Sequence, residues 1–405
     1  MAVAARTRLD TPRSEVYVGL TMFLAIREIK RAKVRFSLLV LAIGLLVFLV
    51  LFQIGLRDGL IGQFVGALRH QNGPIVAFDS QARKNLEGSR VTEADQIALS
   101  KVEGVGRVGP LGESTFTVSN EVSRANTVAK DQLIDAVLFG YQINGPSAGL
   151  GAPTTLSKGR LPESIFEAVA SERNRADGFD IGDVVRIEPS DVEITVVGLA
   201  TDINYSVSPT MFVSWETYLA AQRVRNPEAS IVFPSVVLIE PAEGVGVPAL
   251  VKRLANVANV VVLTREDAVA QSPGVSSVSQ SLNTVIGLLV ITALMVIGLF
   301  VLILTVQKSA SLTLMRAIGA RPRKLAFGLL LQTTIVVLAA VFVGALMMAA
   351  VAPQLNSIGV VFSITQAIWV GVGALVVGWL GSIGAVLRVL SIEPISATQP
   401  QGMLR

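Results

Sequence analysis

Four stretches of this chain lose their polar positions almost entirely. Phe36 to Leu56 carries no charge and is bounded by Arg35 and Arg57. Leu282 to Gln307 is equally bare and ends at Lys308. Between Lys324 and Arg388 lie 63 residues without a charge. A helix needs about 20 apolar residues to cross a bilayer, so that last run is too long for one crossing. It divides at "APQLNSIGVVFSI", where Pro353, Asn356, Ser357 and Gly359 supply turn chemistry. The pattern predicts transmembrane helices over 36–58, 281–307, 325–352 and 366–388, joined across the last pair by a short external loop, 353–365. The first run is expected to persist as a span, not to be cleaved as a signal peptide. It is preceded by 35 residues and outlasts a signal core.

Between the first two spans the pattern changes. "TEADQIALSKV" has helical spacing through Ile97, Leu99 and Val102, with Thr92 placed as an N-cap. "PIVAF", "DVVRIEP", "VEITVVGLA", "PTMFVS" and "SVVLIE" are rich in Val and Ile with partial alternation and read as strands. "WETYLAAQRV" and "PALVKRLANV" read as helices. The predicted fold is therefore an α-helical membrane protein with four transmembrane helices plus an α+β extracytoplasmic domain, 59–280, inserted between helices 1 and 2.

Composition supports this class. Of the 405 residues, 51% are hydrophobic and only 16% charged, against about 25% charged in an average soluble domain. The net charge of +4 hides two populations. Residues 57–281 hold 19 basic and 26 acidic side chains; the rest of the chain holds 15 basic and 4 acidic. Eight Lys/Arg lie in 1–35 and five in 308–324, while the 353–365 loop has none. The positive-inside rule then puts both termini, 1–35 and 389–405, and the 308–324 segment in the cytoplasm. Basic residues flanking spans face an anionic leaflet, so the charge gives no reason to expect nucleic acid.

Chemistry is sparse. The chain has no cysteine and one histidine, His70, which argues against thiolate chemistry and histidine metal sites. "GVGRVG" at 104–109 matches a dinucleotide fingerprint, but a helix precedes it and Pro110 follows. It reads as a turn. Glu163, Glu167, Asp180, Asp183, Asp191 and Asp202 lack ligand spacing. No P-loop occurs, so the chain is expected to bind neither ATP nor another cofactor itself.

The segment "SASLTLMRAIGARPRKLAF" (309–327) breaks two apolar runs with a short basic element. Leu312, Met315 and Ile318 share one helical face. Gly319 stands where a helix stops, and Pro322 suits the first turn of the next helix. The expectation is a helical elbow shaped for docking in a partner's groove. Residues 18–33 read as an interfacial amphipathic helix, with Leu20, Phe23, Leu24 and Ile29 opposite Arg27, Lys30 and Arg31. In the fourth span, Ala374, Gly378, Gly381 and Ala385 recur at small-residue spacing.

Five segments in order resemble one family. "LMRAIGARPRKL" (314–325), "AIREIKRAKVRFSLLVLAIGL" (25–45), "VEGVGRVGP" (102–110), "LSKGRLPESIFEAVAS" with "GFDIGDVVRI" (156–187) and "IEPISATQ" (392–399) are similar to the FtsX-like/MacB-like ABC transporter permeases. Ile181 departs from the usual valine, and the closing segment keeps mainly its proline. The resemblance implies a homodimeric permease in a bacterial cell membrane, working with two copies of a cytoplasmic ATPase subunit. It implies that Leu314, Arg316, Ala317, Ile318, Gly319 and Ala320, with Arg321 and Arg323, form the coupling helix that contacts this ATPase. ATP hydrolysis would then move an external domain, for export or extraction of a lipophilic or peptide-like substrate. The alternative is FtsX-like signalling to a cell-wall hydrolase through an extracytoplasmic protein partner. In either case the chain is not itself an enzyme.

Overall fold

The computed structural model describes residues 33–121, 133–228, 231–317, 322–355, 360 and 362–390. The chain divides into two compact units, Met1–Leu56 with Leu282–Arg405, and Arg57–Ser281.

Four helices are long and apolar enough to cross a membrane: α1 (Lys33–Arg69), α6 (Val275–Ala317), α7 (Pro322–Leu355) and α8 (Ile364–Leu390). Within the first unit, Phe36, Leu39, Ile43, Val47 and Leu51 form one stripe of α1 and pack with Val336, Val337, Ala340 and Met348 of α7. At the α1–α7 crossing a Cβ on Gly344 would stand 2.6 Å from the carbonyl oxygen of Gly44, so only glycine allows the approach. Ala374 of the small-residue stripe is buried, and a Cβ on Gly378 would touch Thr333 and Val337. These two positions serve packing inside the chain. Trp379 Nε1 also donates to Thr334 Oγ1 at 2.9 Å.

Helix ends and span ends differ. The second apolar run was expected to end at 307 and a separate helix to follow. Instead α6 continues without interruption through Ala317. Lys308, Ser309 and Ser311 are polar but helix-compatible, and no proline or glycine falls between 299 and 317 to stop the ladder. Likewise α7 runs past Pro353 to Leu355. The expected start at Pro322 is observed. The 18–33 helix, the Gly319 cap and the tail from 391 lie outside the described residues.

The second unit is built on one long strand. The ten strands are β1 (Ile75–Asp79), β2 (Val105–Glu121), β3 (Leu133–Tyr141), β4 (Leu156–Gly159), β5 (Glu167–Ser171), β6 (Val184–Ile187), β7 (Val192–Ala200), β8 (Thr210–Ser214), β9 (Val236–Pro241) and β10 (Val260–Thr264). The first part of β2 pairs with β9, which continues through β1 to β10, all antiparallel. The last part of β2 pairs with both β3 and β6. Because β6 pairs with β7, β7 with β5, β5 with β8 and β8 with β3, those strands close a ring. Closure removes exposed edges. The ring's interior takes alternate residues of each strand: Phe116 and Val118, Ala136 and Leu138, Val185 and Ile187, Met211 and Val213. Helix α3 (Trp215–Arg225) plugs one end with Tyr218 and Ala221. The "GVGRVG" segment is mostly strand, not turn: β2 begins at Val105, straight after Gly104 with its φ of +95°.

Helices α2 (Glu93–Ser100) and α4 (Val247–Leu254) cover one face of the four-stranded part through Leu99, Leu250 and Leu254. Thr92 caps α2 as expected, and Asp95 completes a reciprocal capping box. Replacing Thr92 by Ala should cost about 1 kcal/mol, read as a lower unfolding midpoint of the full-length protein.

The opposite face, with the outer face of β3, β5 and β8, carries a second core of Phe78, Phe139, Val169, Phe212 and Leu238. The last turn of α1 (Val65, Ala67, Leu68), helix α5 (Arg265–Gln271; Ala268 and Val269) and Val275 at the start of α6 pack into this same core. The two helices that supply the first and second spans are therefore seated side by side in one hydrophobic cluster of the external unit.

Candidate functional site

Of the residues expected to couple to an ATPase, Leu314, Arg316 and Ala317 lie in the last turns of α6, and Arg323 lies in the first turn of α7. Ile318, Gly319, Ala320 and Arg321 lie outside the described residues. The backbone places the segment at the junction between two helices of the membrane unit.

At the other extreme, α1 is fixed to the external unit by an unusual joint. The helix is interrupted at Val65, which has φ −137° and ψ 18°. An unbroken helix would bond Ala67 N to the Gln63 carbonyl. Here Ala67 N donates to the Asn204 carbonyl at 3.2 Å. The Gln63 and Phe64 carbonyls accept instead from Val207 N (3.0 Å) and Ser206 N (3.1 Å). The 202–208 loop thus inserts into the helix ladder and satisfies the groups the kink releases. Its backbone is held in the left-handed region at Asp202, Ser206 and Val207, with φ of +54°, +51° and +63°. For a β-branched residue such as Val207 that is a strained conformation.

Asn204 locks the loop to the sheet. It is buried; its Oδ1 accepts from Ser171 Oγ at 2.6 Å, and its Nδ2 donates to Asn174 Oδ1 and the Ser208 carbonyl. Thr210 Oγ1 accepts from Tyr205 N at 2.9 Å. A displacement of α1 along its axis would therefore load strands β5 and β8 directly.

Residues 283–394 match the family described as FtsX-like permease C-terminal. A hemin transport system permease, HrtB, of Staphylococcus haemolyticus is 23% identical over 93% of this chain and 99% of its own. An ABC transporter permease of Mycobacterium bovis is 24% identical over the same shares. Along nearly its whole length the chain is similar to FtsX-like ABC transporter permeases. The periplasmic region of MacB from Actinobacillus actinomycetemcomitans also aligns, over 49% of the permease and 92% of that chain, at 14% identity and a TM-score of 0.32.

The permease is a protein of the bacterial cell membrane. Its carboxylates are distributed structurally. Glu167 accepts from the Arg160 guanidinium and from the backbone N–H of Glu163 and Ser164. The Arg160 bond holds its carboxyl down at about 2. Asp180 pairs with Arg175 at 2.9 Å, and its N–H donates to Asp183 Oδ2 at 2.7 Å. Among the described residues, no cluster of three or more His, Asp or Glu side chains is set to hold a metal ion.

One acid of the permease is different, and sequence reasoning passed over it. Glu113 sits on β2 with 1% of its surface exposed. Neither carboxyl oxygen finds a hydrogen-bond partner. Its backbone is well held: the N–H donates to Ser235 Oγ, and the carbonyl accepts from Tyr218 Oη and Ser235 Oγ. Burial pushes its carboxyl up to about 7, reinforced by Glu87 and opposed by Arg90 and Arg225. The only hint in the sequence is an acid among strand residues, "LGESTF", and that strand was itself not recognised.

Proposed function

We propose that this permease transmits the stroke of a separate cytoplasmic ATPase to its external domain. The observation that carries the reading is helix α6. It begins at Val275, buried in the core of the external unit, and ends at Ala317 within the basic 309–327 segment. Its 43 residues span about 65 Å at 1.5 Å per residue, roughly twice the hydrocarbon thickness of a bilayer. A helix of that length moves as a rod. A push at residues 314–323 is then felt at Val275, and through the shared core at the α1 joint.

In this reading the permease has its termini and the 308–324 segment in the cytoplasm and works as a homodimer with two ATPase copies. It needs no cofactor of its own, since ATP belongs to the partner. Leu314, Arg316, Ala317, Ile318, Gly319 and Ala320 dock on the ATPase, with Arg321 and Arg323 as polar contacts. Cyclic opening of the external domain serves export or extraction of a lipophilic or peptide-like substrate. The lipophilic class fits the staphylococcal relative, which is named as a hemin transport system permease.

Co-expression with a cytoplasmic ABC ATPase subunit from the same genome tests the proposal. Deleting 312–320 is expected to abolish co-purification while leaving the unfolding transition of the external unit in place. An intact pair with unchanged ATP-driven activity would refute it. An extracytoplasmic hydrolase captured by crosslinking, with no substrate movement, would turn the reading to signalling.

A further inference from the structure

A cleft of about 610 Å³ opens in the external unit beside the ends of α1 and α6. That is within the range of sites for small ligands. One wall is polar. Arg69, the last residue of α1, lines the cleft and has no ion-pair partner among the described residues. Arg265 adds a second. Its Nη1 donates to the Gln71 carbonyl at 2.8 Å and its backbone N–H to Pro74, so its position is fixed before any ligand arrives. Thr154 and His70 join the same wall, tied together by Thr154 Oγ1 donating to the His70 carbonyl. Burial, with the field of the two arginines, lowers the proton affinity of His70 despite Asp202. Among the described residues lining the cleft, Glu266 is the single acid beside the two arginines.

The other wall is apolar: Ile61 of α1, Val269 of α5 and Val275 of α6. Ile61 and Arg69 lie within the first candidate span helix, and Val275 opens the second. A planar two-armed cation set suits a phosphate or carboxylate. The greasy wall suits the body of a molecule that reaches the site along a membrane.

We propose that this cleft binds an anionic amphiphile, its head on Arg69 and Arg265 and its apolar body against Ile61, Val269 and Val275. The binding stands apart from ATPase coupling; only a role for it in cargo handling rests on the transport reading.

The test uses the full-length permease in uncharged detergent, without ATPase or nucleotide. Native mass spectrometry follows titration with dioleoylphosphatidylglycerol, dioleoylphosphatidylcholine, oleate and inorganic phosphate. The acidic lipid or oleate should be retained at least tenfold better than phosphatidylcholine or phosphate. Retention of the lipid assigns a membrane source; retention of oleate alone assigns a soluble one. The variant carrying Arg69→Gln and Arg265→Gln should lose about tenfold of that preference. Arg69→Gln alone breaks no side-chain bond among the described residues; it should lose severalfold with an unchanged melting curve. Equal retention of both phospholipids would overturn the proposal. So would phosphate binding as well as the amphiphiles, or an unchanged preference in both variants. None of these results bears on whether residues 312–320 hold an ATPase.

Discussion

Gly66→Ala is expected to uncouple α1 from the external sheet. A Cβ at this position would stand 2.3 Å from the Asp202 carbonyl oxygen and 2.9 Å from that of Asn204. Both are backbone atoms of the loop that completes the kinked helix, so no side chain can swing away. The loop has to retreat, and it can do so only by giving up the bonds from Ala67, Ser206 and Val207. Overpacking of this kind costs typically 1–3 kcal/mol, and each lost hydrogen bond adds about 1 kcal/mol. Partial relaxation of the strained Val207 offsets some of this, leaving an expected loss of about 3 kcal/mol. Hydrogen exchange on the full-length protein checks it: protection at Ala67, Ser206 and Val207 should fall, while that of the ring strands β3 and β8 is kept. Transport or ATPase stimulation should fall with it. Unchanged protection at those three amides would mean that the loop does not hold the helix.

Glu113→Gln is expected to change how stability responds to pH. The folded protein keeps the Glu113 proton up to about pH 7, whereas an unfolded chain releases it near 4.5. Between these values the folded state binds the extra proton, so stability falls as pH rises. The contribution is fully present below pH 4.5 and lost above 7. At 1.36 kcal/mol per pKa unit, the swing is on the order of 3 kcal/mol. The amide carries no titratable proton, so the variant should match the parent near pH 4.5 and be more stable above pH 7. Unfolding midpoints of both full-length proteins from pH 4.5 to 8 read the difference directly. Parallel curves would show that the carboxyl is solvated in the folded protein.

Much of the architecture was legible along the chain because the relevant signals are local. Four apolar runs identify the four membrane helices, and Thr92, Pro322 and the Val/Ile segments mark helix starts and strands within a residue or two. The stop of α6 was misread for an instructive reason. Hydrophobicity ends where the lipid should end, near Lys308, but a helix ends only where its hydrogen-bond ladder is broken. Strand β2 was missed because "VGRVGPLGESTF" contains three glycines and a proline, a local composition that reads as turn. It becomes a strand because β9, β3 and β6 pair with it from both sides.

The amino-acid sequence alone determined that this protein spans a membrane four times, carries its acidic α+β domain between the first two crossings and has a basic segment between the second and third. Each of those facts depends on transfer between water and lipid, or on the conformational limits of neighbouring residues, and both are properties of short windows. Tertiary structure decided the closed ring, the burial of Glu113, the loop that mends the broken α1 and the gathering of Arg69 and Arg265 in the lining of one cleft. Those depend on segments up to about 200 residues apart meeting in space, which no window of the chain encodes.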